Sequence, residues 1–350
     1  MTFSNTTGNV SKPGSGDGMI ISRTPYRISF FGGGTDYPAW YLGRGGAVLS
    51  TTIDKYCYIT CRYYPPYFSS EVKHRIVWRH VETVSSIADI LHPAVREGLC
   101  YLDFDDSTGL EIHHQADLPA RSGIGTSSAF AVGLIKALTS LRGDTIDKHD
   151  LALKAIELEQ NVLKENVGSQ DQVAVAYGGL NVIRFLPNGE IIVEPVKISP
   201  SRKEELQSKL LLFYTGTSRS ASSVAADVIA NIPNKERVLH QMHSYVDKSV
   251  SILSGSGDLD EFGQLLHENW KLKRQQSNLI TNSMVDGIYQ SAIDHGALGG
   301  KLLGAGRSGF MVFYVPPEKQ DRVRKVLSGY LNVPFKFENE GSTLIHDSAD

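Results

Sequence analysis

Residues Gly123-Ile124-Gly125-Thr126-Ser127-Ser128-Ala129, followed at once by an apolar run over 130–141, constrain this chain more than any other segment. Gly123 and Gly125 permit a bend without a Cβ, so backbone N–H groups can close on an anion. Thr126, Ser127 and Ser128 are residue types that cap helix N-termini through their hydroxyls. Behind them Phe130, Leu134, Leu138 and Leu141 recur at helical spacing, and Gly143 stands where such a helix would stop. Free N–H groups and the positive end of a helix dipole would face the loop's contents, and phosphate suits such a place. An ordinary cap needs one hydroxyl; three in succession favour phosphate.

At 350 residues the chain exceeds what one hydrophobic core usually serves. Two domains are expected, 19–200 and 201–350, after a flexible leader over 1–18. That leader is rich in Ser, Thr, Gly and Asn and lacks the apolar stretch of a secretion signal. With 41% hydrophobic and 21% charged residues the composition is that of a soluble globular protein. A formal charge of -3 leaves no general basic field for nucleic acid. No apolar run approaches membrane-spanning length. Cys57, Cys61 and Cys100 form an odd set without zinc-ligand spacing, which points to reduced thiols and a cytoplasmic protein.

Other segments fall around the loop. A strand-like run over 19–31, with Arg23, Pro25 and Arg27 interleaved, enters Gly32-Gly33-Gly34-Thr35-Asp36-Tyr37. Three glycines exceed what a β-turn requires and would let the backbone and Asp36 crowd a ligand. Strands are expected over 48–63, 76–78 and 110–113, and a helix over 89–100. Leu151, Ala155, Leu158 and Val162 predict a helix over 148–162, on which Glu159 is by default solvated. Gly168-Ser169-Gln170-Asp171-Gln172 then turns into an apolar run, where Asp171 suits a first helical turn. A hairpin follows over 180–196. Helices are expected over 235–253, 258–272 and 282–295, with the Lys271, Lys273, Arg274 run on a solvated face. A helix over 318–330 and a strand over 335–338 would close the chain.

Gly304, Gly306 and Gly309 formally fit a dinucleotide fingerprint, but they precede a strand and open no helix. Gly300-Lys301 is followed by Leu302, so it is no Walker loop. Three separate glycine loops and an isolated Asp suit a nucleotide site assembled from distant segments.

Together these residues resemble the GHMP family of small-molecule kinases. The first family motif is matched by Arg23-Thr24-Pro25-Tyr26-Arg27 running to Gly34-Thr35-Asp36-Tyr37. The phosphate loop is matched by Pro119 through Gly123 to Ala129, the base segment by 168–172, and the third motif by Lys301-Leu302-Leu303-Gly304-Ala305-Gly306. Within the family the chain is similar to bacterial heptose 7-phosphate kinases, through the phrase Phe31-Gly32-Gly33-Gly34-Thr35-Asp36 and the segments 214–220 and 297–302. Relatives usually carry glycines at Arg307 and Ser308, the one departure.

The resemblance implies an α+β fold of two domains, an N-terminal ribosomal-protein-S5-like domain and a C-terminal ferredoxin-like domain. It also implies ATP, Mg²⁺ and a small sugar phosphate held between them, with no nucleic acid or membrane partner. Gly123, Ile124, Gly125, Thr126, Ser127, Ser128, Gly304 and Gly306 would hold the nucleotide, and Ser127, Ser128 and Glu159 the metal. Asp171 would take the proton of the anomeric hydroxyl of heptose 7-phosphate, and Arg27 would stabilise that carboxylate's charge and offset charge on the transferring group. Gly33, Gly34 and Asp36 would orient the sugar and Arg219 its phosphate, with Lys271, Lys273 and Arg274 as weaker candidates for that phosphate because such a run usually faces solvent. Alternative readings are a family kinase for an unphosphorylated fucose- or galactose-like sugar, or a non-catalytic sugar/ATP sensor.

Overall fold

The computed structural model describes residues 18–65, 67, 72–216 and 221–348. Arg219, the expected partner of the sugar's phosphate, lies outside the described residues, as does most of the expected leader.

The first sheet has nine strands. Its spine is β1 (Met19–Phe31) against β2 (Gly46–Tyr63), antiparallel along their whole length. Between them lies the short helix α1 (Pro38–Arg44), which sequence periodicity misses. Because β2 is 18 residues long, it pairs twice on its other edge: its second half with β5 (Leu110–Ala116), its first half with β6 (Leu180–Phe185). The hairpin β3 (His74–Val77) and β4 (Val81–Val84) extends the sheet beside β5, and β7 (Ile191–Pro195) extends it beside β6. Before β5 the expected helix splits into a 3₁₀ turn, Ile87–Asp89, and α2 (Pro93–Tyr101), because Pro93 starts a helix and cannot continue one.

The helices α3 (Thr126–Leu141) and α5 (Gln170–Tyr177) pack on this sheet, and α4 (Lys148–Glu157) packs on both of them. α3 packs on β1 and β2, with Leu134 and Leu138 fully buried as its period requires.

After α6 (Pro200–Ser208) a four-stranded antiparallel sheet forms, in the order β11-β8-β10-β9. Its strands are β8 (Leu210–Tyr214), β9 (Gly299–Leu302), β10 (Phe310–Tyr314) and β11 (Leu331–Asn332). The helices of this half are α7 (Ala221–Asn231), α8 (Glu236–Ser254), α9 (Asp260–Gln276), α10 (Ser283–Asp294) and α11 (Gln320–Val326).

The chain end crosses the division expected at residue 200. β12 (Phe337–Glu338) pairs with β2, and β13 (Thr343–Asp347) pairs with β1, so 337–347 return to the first sheet. Edge pairing of this kind leaves no periodicity over so few residues. Cys57 and Cys61 are buried free thiols and Cys100 an exposed one. Among the described residues no helix is long and apolar enough to cross a membrane.

Candidate active site

Two of the glycine loops, those at Gly123–Gly125 and Gly304–Gly306, meet directly. Gly125 is the N-cap of α3, in the left-handed region at φ 76, and it has no side chain with which to cap. The hydroxyls of Thr126, Ser127 and Ser128 therefore fall inside the first turn and are used elsewhere, contrary to a capping role. Thr126 Oγ1 accepts the Arg121 N–H at 3.0 Å, while Ser127 and Ser128 turn to Glu159. No side chain caps the first-turn amides, which leaves them for an anion.

The third loop closes on this one backbone to backbone. A Cβ on Gly304 would stand 2.4 Å from Gly123 Cα, and one on Gly123 would stand 2.4 Å from the Leu303 carbonyl oxygen. The Phe310 N–H donates to the Ser122 carbonyl at 3.0 Å, closing the contact from the strand side. Gly306 packs on Ile280 in the same way, 2.7 Å from its Cα to the missing Cβ. Arg307 stands at φ 68 and keeps the turn a glycine would make, clamped by its N–H on the Ile280 carbonyl and its own carbonyl under Asn282. Gly304→Ala is expected to cost about 2 kcal/mol or more, since both φ 73 and the contact forbid a side chain. An unchanged melting temperature in that variant would refute the packed interface.

Arg27 and Asp171 form the centre. β1 carries an irregularity between Pro25 and Tyr26, one residue before Arg27. Its N–H donates to the Ile124 carbonyl at 3.0 Å, tying the strand to the phosphate loop. The guanidinium, 3% exposed, grips Asp171 with two parallel bonds, Nε to Oδ1 at 2.7 Å and Nη2 to Oδ2 at 2.6 Å. Nη1 donates to the Gly123 carbonyl at 2.7 Å. The missing Cβ of Gly125 would lie 3.7 Å from Asp171 Oδ2, so the carboxylate rests against the phosphate loop. A carboxylate has about four acceptor positions, and Arg27 takes two.

Glu159 is the second centre. The helix expected over 148–162 breaks into α4 and a π-helical turn, Leu158–Val162, and that extra residue turns Glu159 inward. It is 1% exposed, not solvated. Its carboxylate accepts from Ser127 Oγ, Ser128 Oγ at 2.7 Å and Gln172 Nε2 at 2.6 Å. Burial pushes its pKa up to about 7 in spite of those three donors. A buried carboxylate and two hydroxyls short of positive charge fit a hard cation that draws its remaining oxygens from phosphate and water. Glu165, 3.5 Å from Ser127 Oγ, is a further acidic group here that sequence reasoning missed.

The Gly32–Asp36 loop, the expected acceptor loop, also comes close to Asp171. Asp36 is 2% exposed; Oδ1 accepts the Gly34 N–H at 2.8 Å and Oδ2 accepts Gln170 Nε2 at 2.9 Å. Burial raises its pKa, and Asp171 nearby adds to the rise. Gln276 on α9 donates to the Gly33 carbonyl at 3.0 Å, and its amide would collide with a Cβ on Gly34. Lys273, one turn earlier, is buried, whereas Lys271 and Arg274 pair at the surface with Glu268 and Asp286. Phe262, Leu266 and Trp270 lie at i, i+4 and i+8, and Lys273 continues that stripe. This was the legible signal for an inward lysine.

Residues 83–179 match the family model of the GHMP kinases N terminal domain, and residues 249–332 that of the GHMP kinases C terminal domain. A D-glycero-alpha-D-manno-heptose 7-phosphate kinase of Campylobacter jejuni is 28% identical over 332 residues, covering 92% of this chain and 97% of that protein. A bifunctional fucokinase/GDP-fucose pyrophosphorylase of Arabidopsis thaliana is 27% identical over 342 residues, 90% of this chain but 32% of the plant protein. The crystal structure of a D-glycero-D-manno-heptose 1-phosphate kinase from Bacteroides thetaiotaomicron superposes with a TM-score of 0.75 at 24% identity, covering 93% of this chain and 98% of that one. With the N-terminal and the C-terminal family models both matched, the chain belongs to the GHMP kinase family of phosphotransferases.

Proposed function

We propose that the protein transfers the γ-phosphoryl group of ATP to the anomeric hydroxyl of D-glycero-D-manno-heptose 7-phosphate, giving the 1,7-bisphosphate. The observation that carries this is Asp171, held bidentately by Arg27 and resting against the Gly123–Gly125 loop. A carboxylate there can accept a hydroxyl proton while backbone amides and Arg27 hold the anion it attacks. The loop amides would cradle the nucleotide's terminal phosphates, and Glu159 with Ser127 and Ser128 would hold Mg²⁺. When bound, that ion supplies neutralisation of the phosphate oxygens. Asp36, Gly33 and Gly34 would shape the sugar pocket, with Arg219 as the partner for the distal phosphate. Phosphoryl transfer asks mainly for such positioning, because there is little covalent chemistry for the protein to perform.

The heptose acceptor is supported by the Campylobacter relative, which the chain matches over nearly its whole length. A second reading, an unphosphorylated fucose-like acceptor, is favoured by the plant relative and by the surface ion pairs that occupy Lys271 and Arg274. ATP consumption with heptose 7-phosphate, free heptose, L-fucose and D-galactose separates them. The expected result is a kcat/KM for heptose 7-phosphate at least ~10²-fold above every unphosphorylated sugar, since a charge-assisted phosphate contact discriminates at that level. Equal rates with and without the distal phosphate would overturn the heptose phosphate assignment.

A further inference from the structure

The last turns of α9 reach both sides of the site. Asn269 Nδ2 donates to the Phe30 carbonyl at 3.2 Å and Gln276 Nε2 to the Gly33 carbonyl at 3.0 Å, both behind the acceptor loop. Between them Lys273 Nζ donates to the Gly304 carbonyl at 2.6 Å and the Leu302 carbonyl at 3.1 Å, behind the third glycine loop. An ammonium has three donors, and these bonds use two. Lys273 is 7% exposed, and its hydrogen-bond partners are neutral carbonyls. The charged groups around it are Arg27 on β1, Asp36 in the acceptor loop, Asp171 on α5 and Lys301 on β9. Arg27 and Asp171 already neutralise each other, Asp36 is engaged by the Gly34 N–H and Gln170 Nε2 and forms no ion pair with Lys273, and Lys301 is itself buried on the Ser29 and Phe30 carbonyls. A buried cation so placed is costly unless another charge arrives.

We infer that Lys273 is a positioning residue of phosphoryl transfer, its ammonium holding the third glycine loop on the phosphate loop with a charge that an arriving nucleotide phosphate balances. The inference rests on the kinase reading. Gly304, whose carbonyl Lys273 holds, packs on Gly123, so the ammonium acts on nucleotide geometry through the loop. Burial lowers its pKa to about 8, with Arg27 adding to the fall. A phosphate nearby favours the protonated form, so nucleotide binding above that pH draws in a proton.

The test is calorimetric titration of the full chain with Mg²⁺ and a non-hydrolysable ATP analogue, from pH 6.5 to 9.5. Two buffers of different ionisation heat report the protons taken up. Wild type is expected to bind about tenfold more weakly per pH unit above about 8, with uptake approaching about one proton. Lys273→Arg should keep the affinity measured at pH 7 and lose both the decline and the uptake, because guanidinium does not titrate there. Lys273→Met should bind ~10-fold or more weakly at pH 7. A flat wild-type profile overturns the inference, even should neither variant fold. Proton uptake persisting in Lys273→Arg overturns it in favour of Lys301, and unaltered affinity in Lys273→Met removes the charge from the argument. Failure of wild type to bind the analogue at any pH overturns the kinase reading itself.

Discussion

Asp171→Asn is expected to lower turnover by ~10²–10⁴-fold while the nucleotide still binds. The carboxylate's two free acceptor positions are what a sugar hydroxyl would meet, and an amide cannot take its proton. The amide also breaks one of two parallel bonds to Arg27, because its NH₂ faces a donor. Arg27 is almost fully buried, so the variant also loses stability, and the two effects must be separated. Calorimetric binding of an ATP analogue, measured below the variant's melting temperature, does this. Retained binding with lost turnover places Asp171 in the proton transfer. Normal turnover would remove it from the mechanism and leave the Arg27 pair as a strut between β1 and α5.

Glu159→Gln should make the metal-free protein more stable at pH 8 and the enzyme nearly inactive. The folded-state pKa of Glu159 is raised from 4.5 to about 7, so between those values the folded protein holds a proton that the unfolded chain has released. Stability from this group is complete below 4.5, declines as pH rises through that window, and is gone above about 7. The shift corresponds to roughly 3 kcal/mol at pH 8, which a neutral isostere recovers. Thermal melts of wild type and variant at pH 5 and pH 8 check it: the gap should open only at the higher pH. The same substitution removes the charge that would attract Mg²⁺. Turnover should fall ~10²–10³-fold, and the added stability wild type gains from Mg²⁺ with nucleotide should disappear. A variant that melts with wild type at pH 8, or that keeps its response to Mg²⁺, would show that Glu159 bears no unbalanced charge.

Much of this site is legible along the chain because it is built from local chemistry. Glycines that must come within contact distance of another backbone stand in the sequence whatever the fold. Gly123, Gly304 and Gly306 announce close approach before any partner is known. Apolar spacing likewise marks α3, α8, α9 and α10 within a few residues. Glu159 shows where such reading stops. Its neighbours carry an ordinary helical stripe, yet a π-helical turn rotates the side chain from solvent onto Ser127 and Ser128. Lys273 sits in a basic run that composition assigns to water, and the helical stripe of Phe262, Leu266 and Trp270 places it inside.

By itself the sequence determined which segments bend, which turn a helix and which carry an acid, since backbone freedom and side-chain type are local properties. Only the tertiary structure decided their pairing: Arg27 with Asp171, 144 positions apart, and Gly304 against Gly123. It also sent the two final strands back to the first sheet. The physical reason is that contact between distant segments depends on how both sheets and their helices close over a shared core, and burial then sets which of the acids and lysines must find a partner.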